Sequence, residues 1–574
     1  MKKGRYIIIA GGVISGVGKG FATASIGKIL QQYGYTATAV KIDPYINFDA
    51  GTLRPTEHGE VWVTDDGGEI DQDLGSYERF LGIDIPKKNN ITTGQIYKAI
   101  IDRERKGEYL GETVQFIPHI PNEIKRRIKE AGKGYDFVLV EIGGTVGDYE
   151  NIPYLFACKS LEMEVGRKNI IYVLLTYLPI PYHIHEMKTK PTQQAIRQLS
   201  ENGIFPDFIL CRASRPLDRV RKKKIETYAN IDAEHVISAP DIKMFDSIPL
   251  NFERENLGKK VLAKFGLKPK KEPDWSQWRE LIKRAEHPVR NLKVAMIGKY
   301  VDIGDYNLAD SYISINHALS HAGAAHSCSV DISWIDSKKI EDGEFQLNDL
   351  SSYDGIVIPG GFGVTGAEGK ISAIKFAREN NIPFLGLCFG LQCAVIEFAR
   401  NVCGLEGANS SEVDPHTKHP VIDIIPTQKM LIEENRYGGT MRLGVYAAIL
   451  KEGSKVLDLY IETKRIVTDR KKIKKLKKDQ KFRLGKLMTY ENVVLERHRH
   501  RYEVSPKHIN PLERNGLVFC GYHQRLDGTK LMEFLELAEH PFFIATQAHP
   551  EFKSRLDSPA PLFYGFIKAM VEKS

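Results

Sequence analysis

The chain has few cysteines, seven in 574 residues, an odd number with no paired spacing and no C-x-x-C. That pattern excludes a disulfide framework and offers no zinc site, so a reducing cytoplasm is the expected compartment. A long apolar run is missing too. Met1-Lys-Lys-Gly-Arg-Tyr-Ile-Ile-Ile-Ala10 places positive charge before apolar residues, but the stretch is too short for a signal segment and runs straight into a glycine-rich loop. It reads as a first buried strand, and no membrane partner is expected. No internal repeat is visible, and the one biased segment is a lysine run.

The formal net charge of +8 is concentrated there. Lys464 to Lys486 holds twelve basic residues against Asp469 and Asp479, a local balance of +10 that leaves the remainder of the chain at −2. Aromatic residues that could stack on bases are nearly absent from the run, so it reads as a solvated surface and no nucleic-acid partner is expected. A hydrophobic content of 42% with 27% charged residues is ordinary for a globular protein of two to four domains.

Apolar runs at Tyr6 to Ala10, Tyr35 to Ile42, Tyr135 to Ile142, Asn169 to Leu178 and Phe208 to Arg212 alternate with helical stretches and predict buried parallel strands. After Leu267 the chain turns polar and proline-bearing. A second α/β set follows at Leu292 to Gly298, Tyr353 to Pro359, Ile382 to Leu387 and Phe542 to Ala548. The expected division is a first domain over 1–267, a linker over 268–291 and a second domain over 292–574, with the lysine-rich run near 464–486 an exposed insertion that has no catalytic part.

Gly11-Gly-Val-Ile-Ser-Gly-Val-Gly-Lys-Gly20 follows the first strand and opens a helix. Converging backbone N–H groups, the helix dipole and the Lys19 ammonium suit phosphate oxygens. The pattern G-x-x-x-x-G-K-[ST] is broken twice, by Val13 at the first glycine and by Gly20 at the hydroxyl residue that normally holds magnesium. Carboxylates must then supply the oxygen ligands, and Asp73 and Glu141 are the candidates. Met187-Lys-Thr-Lys-Pro-Thr-Gln-Gln194 adds two lysines and two threonines around a proline; alone it also reads as a solvated loop, but with Lys224 and the glycine loop in the same domain its composition suits a second polyphosphate.

In the second domain, Phe384-Leu-Gly-Leu-Cys-Phe-Gly-Leu-Gln392 reads as a nucleophile elbow. Gly386 and Gly390 are expected to let the backbone bend sharply around Cys388, and the helix start favours its thiolate. His549 is the candidate base, with Glu551 orienting it. The alternative for a cysteine in an apolar run is a core side chain.

These segments resemble the CTP synthase family, in which an amidoligase domain precedes a class I glutamine amidotransferase domain. The resemblance also rests on Lys41-Ile-Asp-Pro-Tyr-Ile-Asn47, His58-Gly-Glu60, Tyr77-Glu-Arg-Phe80, Glu141-Ile-Gly-Gly-Thr-Val-Gly-Asp148, Pro359-Gly-Gly-Phe-Gly363, Asn409-Ser-Ser-Glu412, Gly438-Gly-Thr-Met-Arg-Leu-Gly444 and Arg497-His-Arg-His-Arg-Tyr-Glu503. It implies a P-loop-like parallel-sheet domain followed by an amidotransferase α/β domain, and ATP-dependent amination of UTP to CTP with ammonia from glutamine, through a 4-phosphorylated UTP. Gly16, Val17, Gly18, Lys19, Gly20, Phe21, Lys41 and Asp73 would meet ATP, and Asp73 and Glu141 would hold Mg²⁺. Ser15, Asp148, Tyr149, Glu150, Lys188, Thr189, Lys190, Pro191, Thr192, Gln193 and Lys224 would meet UTP or the inhibitor CTP. Gly361, Phe389, Gly390, Leu391, Gln392, Glu412 and Arg501 would bind glutamine, with Gly361 and the amides after Cys388 forming the oxyanion hole. Ammonia would need an enclosed route, because in water near neutral pH it becomes ammonium.

The resemblance further implies GTP activation, CTP feedback and a homotetramer. Two departures bear on regulation: Thr365 stands where members carry an arginine linked to GTP activation, and Phe156 where many have glutamate. Another glutamine-dependent amidoligase of the same class gives no reason for the Lys188 to Gln193 segment. A filament or scaffold protein that has kept the fold gives none for the full set of catalytic residues.

Overall fold

The computed structural model describes residues 4–54, 58–299, 302–303, 306–307, 309–424, 441–476, 481–487 and 491–573. Residues 438–440 of the quoted glycine motif and 477–480 of the lysine run lie outside them. The chain forms two compact units: Met1–Thr52 with Glu69–Ser276, and Leu53–Gly68 with Gln277–Ser574. The second unit thus takes in sixteen residues, 53–68, that precede most of the first.

The first unit is built on seven strands: β1 (Arg5–Gly11), β2 (Ala37–Asp43), β3 (Asn90–Thr92), β4 (Phe137–Ile142), β5 (Ile170–Tyr177), β6 (Phe208–Ala213) and β7 (Val236–Pro240). They run in the order β3-β2-β4-β1-β5-β6-β7, all parallel. Ile7, Ile8, Ile9, Val138, Leu139 and Val140 are fully buried, as expected of central parallel strands covered on both faces. The unit's helices include α1 (Lys19–Gln32), α2 (Asp73–Leu81), α3 (Ile152–Val165), α4 (Lys190–Glu201) and α5 (Arg219–Ala229). Because β1 is central, the turn from β1 into α1 emerges at the carboxyl ends of the strands, where ligands bind in open α/β sheets.

The second unit carries nine strands: β8 (Arg290–Gly298), β9 (Cys328–Asp336), β10 (Gly355–Ile358), β11 (Phe384–Leu387), β12 (Arg442–Leu450), β13 (Val493–His500), β14 (Val518–Gln524), β15 (Lys530–Glu536) and β16 (Phe543–Thr546). Their order is β9-β8-β10-β11-β16-β15-β14-β12-β13. The part from β9 to β16 is parallel, with β8, β10, β11 and β16 at the apolar runs the sequence offers and β9 at none of them, while β15, β14, β12 and β13 extend it as antiparallel strands. Helices α6 (Ala367–Glu379), α7 (Phe389–Asn401) and α8 (Arg465–Ile473) matter for the site.

Helix α8 and the residues after it correct the expectation of an exposed insertion. The lysines at 471, 474 and 475 face solvent, but Arg465, Ile466, Asp469, Ile473 and Arg483 are buried. A 3.6-residue period hidden under the lysine count gives the helix an inward face. All seven cysteines are free, and no described helix is long and apolar enough to cross a membrane.

Candidate functional site

In the second unit β11 ends at Leu387, and Cys388 takes φ 51° and ψ −99° before α7 begins at Phe389. A non-glycine residue at positive φ is strained, and such strain gathers at functional positions where surrounding structure enforces it. Here the enforcement is local. The Cys388 N–H donates to Thr546 O at 2.7 Å, while Leu391 and Gln392 N–H donate to Cys388 O at 3.1 and 3.3 Å.

The two glycines serve close packing rather than the bend: neither has positive φ. A Cβ on Gly390 would meet Ile358 O at 2.4 Å, and one on Gly386 would meet the Ala545 Cβ at 2.9 Å. The sharp turn is carried by the cysteine itself.

His549 Nδ1 and Glu551 Oε1 are 2.6 Å apart. The His549 N–H donates to Arg497 O at 2.8 Å, and the ring stacks on Phe552 with centroids 5.2 Å apart at 17°. Burial disfavours the charged imidazole, but Glu551 and a hydrogen bond with Cys388 outweigh it and raise His549 to about 10. With Nδ1 on the carboxylate, Nε2 is left for the sulfur. A Cβ on Gly360 would sit 3.8 Å from that nitrogen and 3.6 Å from the Cys388 Cβ. Sequence reasoning therefore identified three residues that the fold brings together.

A cavity of about 220 Å³ opens on this trio, its wall including Gly361, Phe362, Arg499, Glu60, Val61 and Leu53. The last three come from the early segment, and nothing local in the sequence places them here. Gln392, Glu412 and Arg501 stand outside that wall. Gln392 donates to Tyr502 O at 3.1 Å and Gln547 Oε1 at 3.3 Å, and its own Oε1 is buried with no partner among the described residues. Glu412 accepts the Gly363 N–H at 2.9 Å, and burial raises its pKa against the pull of Arg501. Lys370, which the sequence reading missed, is buried over the Phe389 ring at 5.0 Å and lowered by that burial to about 8.

In the first unit Lys19 opens α1, and burial lowers its pKa while Nζ donates to Gly144 O at 2.7 Å. Gly18 caps the helix at φ 96°, and Val13 sits at φ 82°, an unusual conformation for a β-branched residue. Lys41 lies between two carboxylates, ion-paired with Asp73 and 3.1 Å from Glu141 Oε1, and Tyr77 donates to Glu141 as well. Asp71 beside them is raised to about 8 by burial and by Asp73.

Among the described residues no three of His, Cys, Asp and Glu form a ready ligand set. Two hard carboxylates facing the Lys19 end of the phosphate loop nevertheless fit Mg²⁺, which typically takes one or two protein carboxylates and completes its shell with water and substrate phosphates.

Val17, Gly18 and Phe21 line a small cavity of about 60 Å³ with Arg212, Asp241 and Phe245. Phe21 and Phe245 stack at 4.3 Å, and Arg212 donates to Gly16 O and Val17 O at 3.3 and 3.0 Å while pairing with Asp241 at 2.7 Å. The last three had no sequence signal, since each lies far along the chain from the glycine loop.

Asp148 accepts from the Thr145 N–H and hydroxyl at 2.6 and 2.8 Å, which fixes the turn that ends β4. Ser15, Tyr149, Glu150, Lys190 and Lys224 are exposed. Lys188 pairs with Glu186 at 2.8 Å, Thr189 precedes α4, Pro191 occupies its first turn, and Gln193 donates to Thr189 at 3.4 Å. Thr192 is different: it is buried, with its hydroxyl 3.1 Å from that of Thr176 in β5, a core contact that leaves its side chain turned inward.

The family model described as CTP synthase N-terminus matches residues 5–267, and that described as glutamine amidotransferase class-I matches 307–569. A CTP synthase of Methanocaldococcus jannaschii is 48% identical over 99% of both chains, and one of Methanopyrus kandleri is 48% identical over 98% of both. The solved glutaminase domain of a Trypanosoma brucei CTPS with bound acivicin is 32% identical, covers 49% of this chain and 95% of that one, and has a TM-score of 0.40.

Proposed function

The chain belongs to the CTP synthase family, a glutamine-dependent amidoligase of pyrimidine biosynthesis, and from that premise we propose how its own residues divide the work. The carrying observation is Cys388 held at φ 51° beside a His549 that Glu551 orients at 2.6 Å. Cys388 attacks the glutamine side-chain amide, His549 moves the proton from thiol to leaving nitrogen, and ammonia departs from a thioester that water then hydrolyses. Gly361 and Phe389 donate backbone N–H groups to the oxyanion, and Gly390, Leu391, Gln392, Glu412 and Arg501 recognise glutamine. Released ammonia enters a cavity walled partly by Leu53, Glu60 and Val61.

In the first unit the loop from Gly16 to Phe21, with Lys19 and Lys41, positions the ATP phosphates for transfer of the γ-phosphoryl group to O4 of UTP. Asp73 and Glu141 would hold Mg²⁺, which supplies charge neutralisation at the phosphoryl oxygens. Phosphorylation turns a poor leaving oxygen into phosphate, so that ammonia can replace it at C4. Ser15, Asp148, Tyr149, Glu150, Lys188 to Gln193 and Lys224 surround the pyrimidine nucleotide, with Thr192 acting through its place in the core. The functional boundary falls within 268–291.

GTP activation, CTP feedback and a homotetramer complete the reading. Support for self-association comes from α3, where Ile152, Phe156 and Met163 form one helical stripe of exposed apolar side chains next to the exposed Tyr149.

The test replaces Cys388 with Ala and supplies either glutamine or ammonium with UTP, ATP and Mg²⁺. CTP formation from glutamine should vanish while that from ammonium persists. Loss of both, or survival of both, defeats the assignment.

A further inference from the structure

The lysine-rich insertion contributes two buried charged side chains at the edge of the nine-stranded sheet. Among the described residues β13 is the last strand, and one side of its backbone has no neighbouring strand there. Open edges leave N–H and C=O groups to be met by something else, and in an antiparallel pair such outward groups belong to alternate residues. Along β13 those alternate residues are Leu495, Arg497 and Arg499. The Leu495 N–H donates to Asp469 Oδ2 at 3.0 Å, and the Leu495 carbonyl accepts from Lys553 Nζ. Arg497 O accepts the His549 N–H at 2.8 Å. Arg499 O faces the Cys388 sulfur at 3.9 Å. Clamp, base and nucleophile therefore occupy three successive rungs of one strand edge.

Asp469 lies on α8, in the basic run, and Lys553 closes the short helical turn Pro550–Lys553 that carries Glu551. The two are 3.7 Å apart. Arg465 joins them, 3.2 Å from Asp469 Oδ1 and 3.4 Å from Lys553 O, and reaches Glu496 at 3.9 Å, to which Tyr460 also donates at 2.8 Å. Asp469 is 0% exposed, Lys553 3% and Arg465 7%, so none of these charges is relieved by water. Two cations and two carboxylates meet there, and Lys472 and Asp65 also act on Lys553.

We infer that Asp469 and Lys553 are positioning residues for glutamine hydrolysis: by clamping both backbone groups of Leu495 they fix the strand edge and the turn from which His549, Glu551 and Cys388 are aligned. The inference rests on the assignment of those three residues to amide hydrolysis. Its chemical content is positional, since neither clamp residue lies in the wall of the cavity at Cys388. It also gives the insertion a part in the reaction, where the sequence suggested none.

Removing one partner alone leaves an uncompensated buried charge and threatens the fold, whereas removing both charges together is often neutral. The decisive variant is therefore the double substitution Asp469→Asn with Lys553→Met in the full-length protein, compared with Lys553→Met alone. Four quantities are followed: the thermal melt, ammonium-dependent CTP formation, kcat and KM for ammonia release from glutamine, and the rate of Cys388 alkylation by iodoacetamide read from its peptide. Alkylation needs no glutamine, so it tests the clamp even in a preparation that hydrolyses none.

With the charges balanced but the Lys553 donor gone, the double variant should melt as wild type does and keep its ammonium-dependent activity. Its kcat and its Cys388 alkylation rate should both fall about tenfold, because misplacement of reacting groups costs rate steeply. KM should stay within about twofold, as for an interaction made only on the way to the transition state. A double variant that recovers kcat and alkylation along with its melt overturns the inference. So does loss of the cooperative melt in both variants, which would mark the pair as residues of the fold alone.

Discussion

A Cβ atom on Gly20 would lie 2.4 Å from Asp73 Oδ1. The carboxylate thus occupies the space that a serine or threonine side chain takes in the usual phosphate loop, and the two departures, a missing hydroxyl and an added carboxylate, are one substitution in space. Gly20→Ala should push Asp73 off its place beside Lys41. CTP formation should be lost with glutamine and with ammonium alike, while ammonia release from glutamine in the absence of nucleotides continues. Steady-state assays of the three activities distinguish this from general unfolding, which would end all of them.

Val13 replaces the first glycine of the loop pattern and adopts φ 82°. Strain there costs about 1–3 kcal/mol, comparable to the roughly 1 kcal/mol by which glycine favours the unfolded chain. Val13→Gly should therefore change stability by no more than about 2 kcal/mol in thermal or urea unfolding, in contrast to glycine at the fully buried Val138 or Val140 of β4. A loss of several kcal/mol would show that the side chain's packing outweighs its backbone strain.

The pairing of His549 with Glu551 makes stability depend on pH in a definite direction. Burial opposes the charged ring, but Glu551 and Cys388 raise it from 6.5 to about 10. A folded-state value above the unfolded one means that the contribution is complete below about 6.5 and declines as pH climbs toward 10. Glu551→Gln removes the main raising partner. The melting temperature of wild type should exceed that of the variant most at pH 6, with the gap narrowing by pH 10; a gap that widens with pH would contradict the sign.

Thr365 is exposed just ahead of α6, where the family resemblance implies an arginine. Glutamine-dependent CTP formation should respond weakly to GTP, and Thr365→Arg should strengthen the response without altering the ammonium-dependent rate. Strong activation of the unmodified protein by GTP would dismiss a role for the missing charge.

Much of this was legible in the sequence wherever local pattern and fold agree. The run Tyr6 to Ala10 lies within β1, Asn169 to Leu178 brackets β5, and Ile382 to Leu387 contains β11, because central parallel strands are continuous apolar runs. Cys388, His549 and Glu551 could be named because a strained elbow and a His-x-Glu pair leave short signatures. The antiparallel strands β12 and β13 were not read as strands, since buried charges such as Arg442, Glu496 and Arg497 interrupt the apolar pattern. Phe245 and Arg212 at the small cavity, or Asp469 under a lysine count, depend on contacts distant in sequence.

The placement of residues 53–68 sets a limit on dividing this polypeptide. Trp62 lies 5.0 Å from Phe552, and Asp65 accepts from Arg497 at 2.6 Å and from Val445 through its backbone at 3.0 Å. A fragment starting near residue 277 would therefore be born without a piece of its own interior. Recombinant preparations of the amide-hydrolysing half should gain stability when that hexadecapeptide is restored, by grafting or by co-expression.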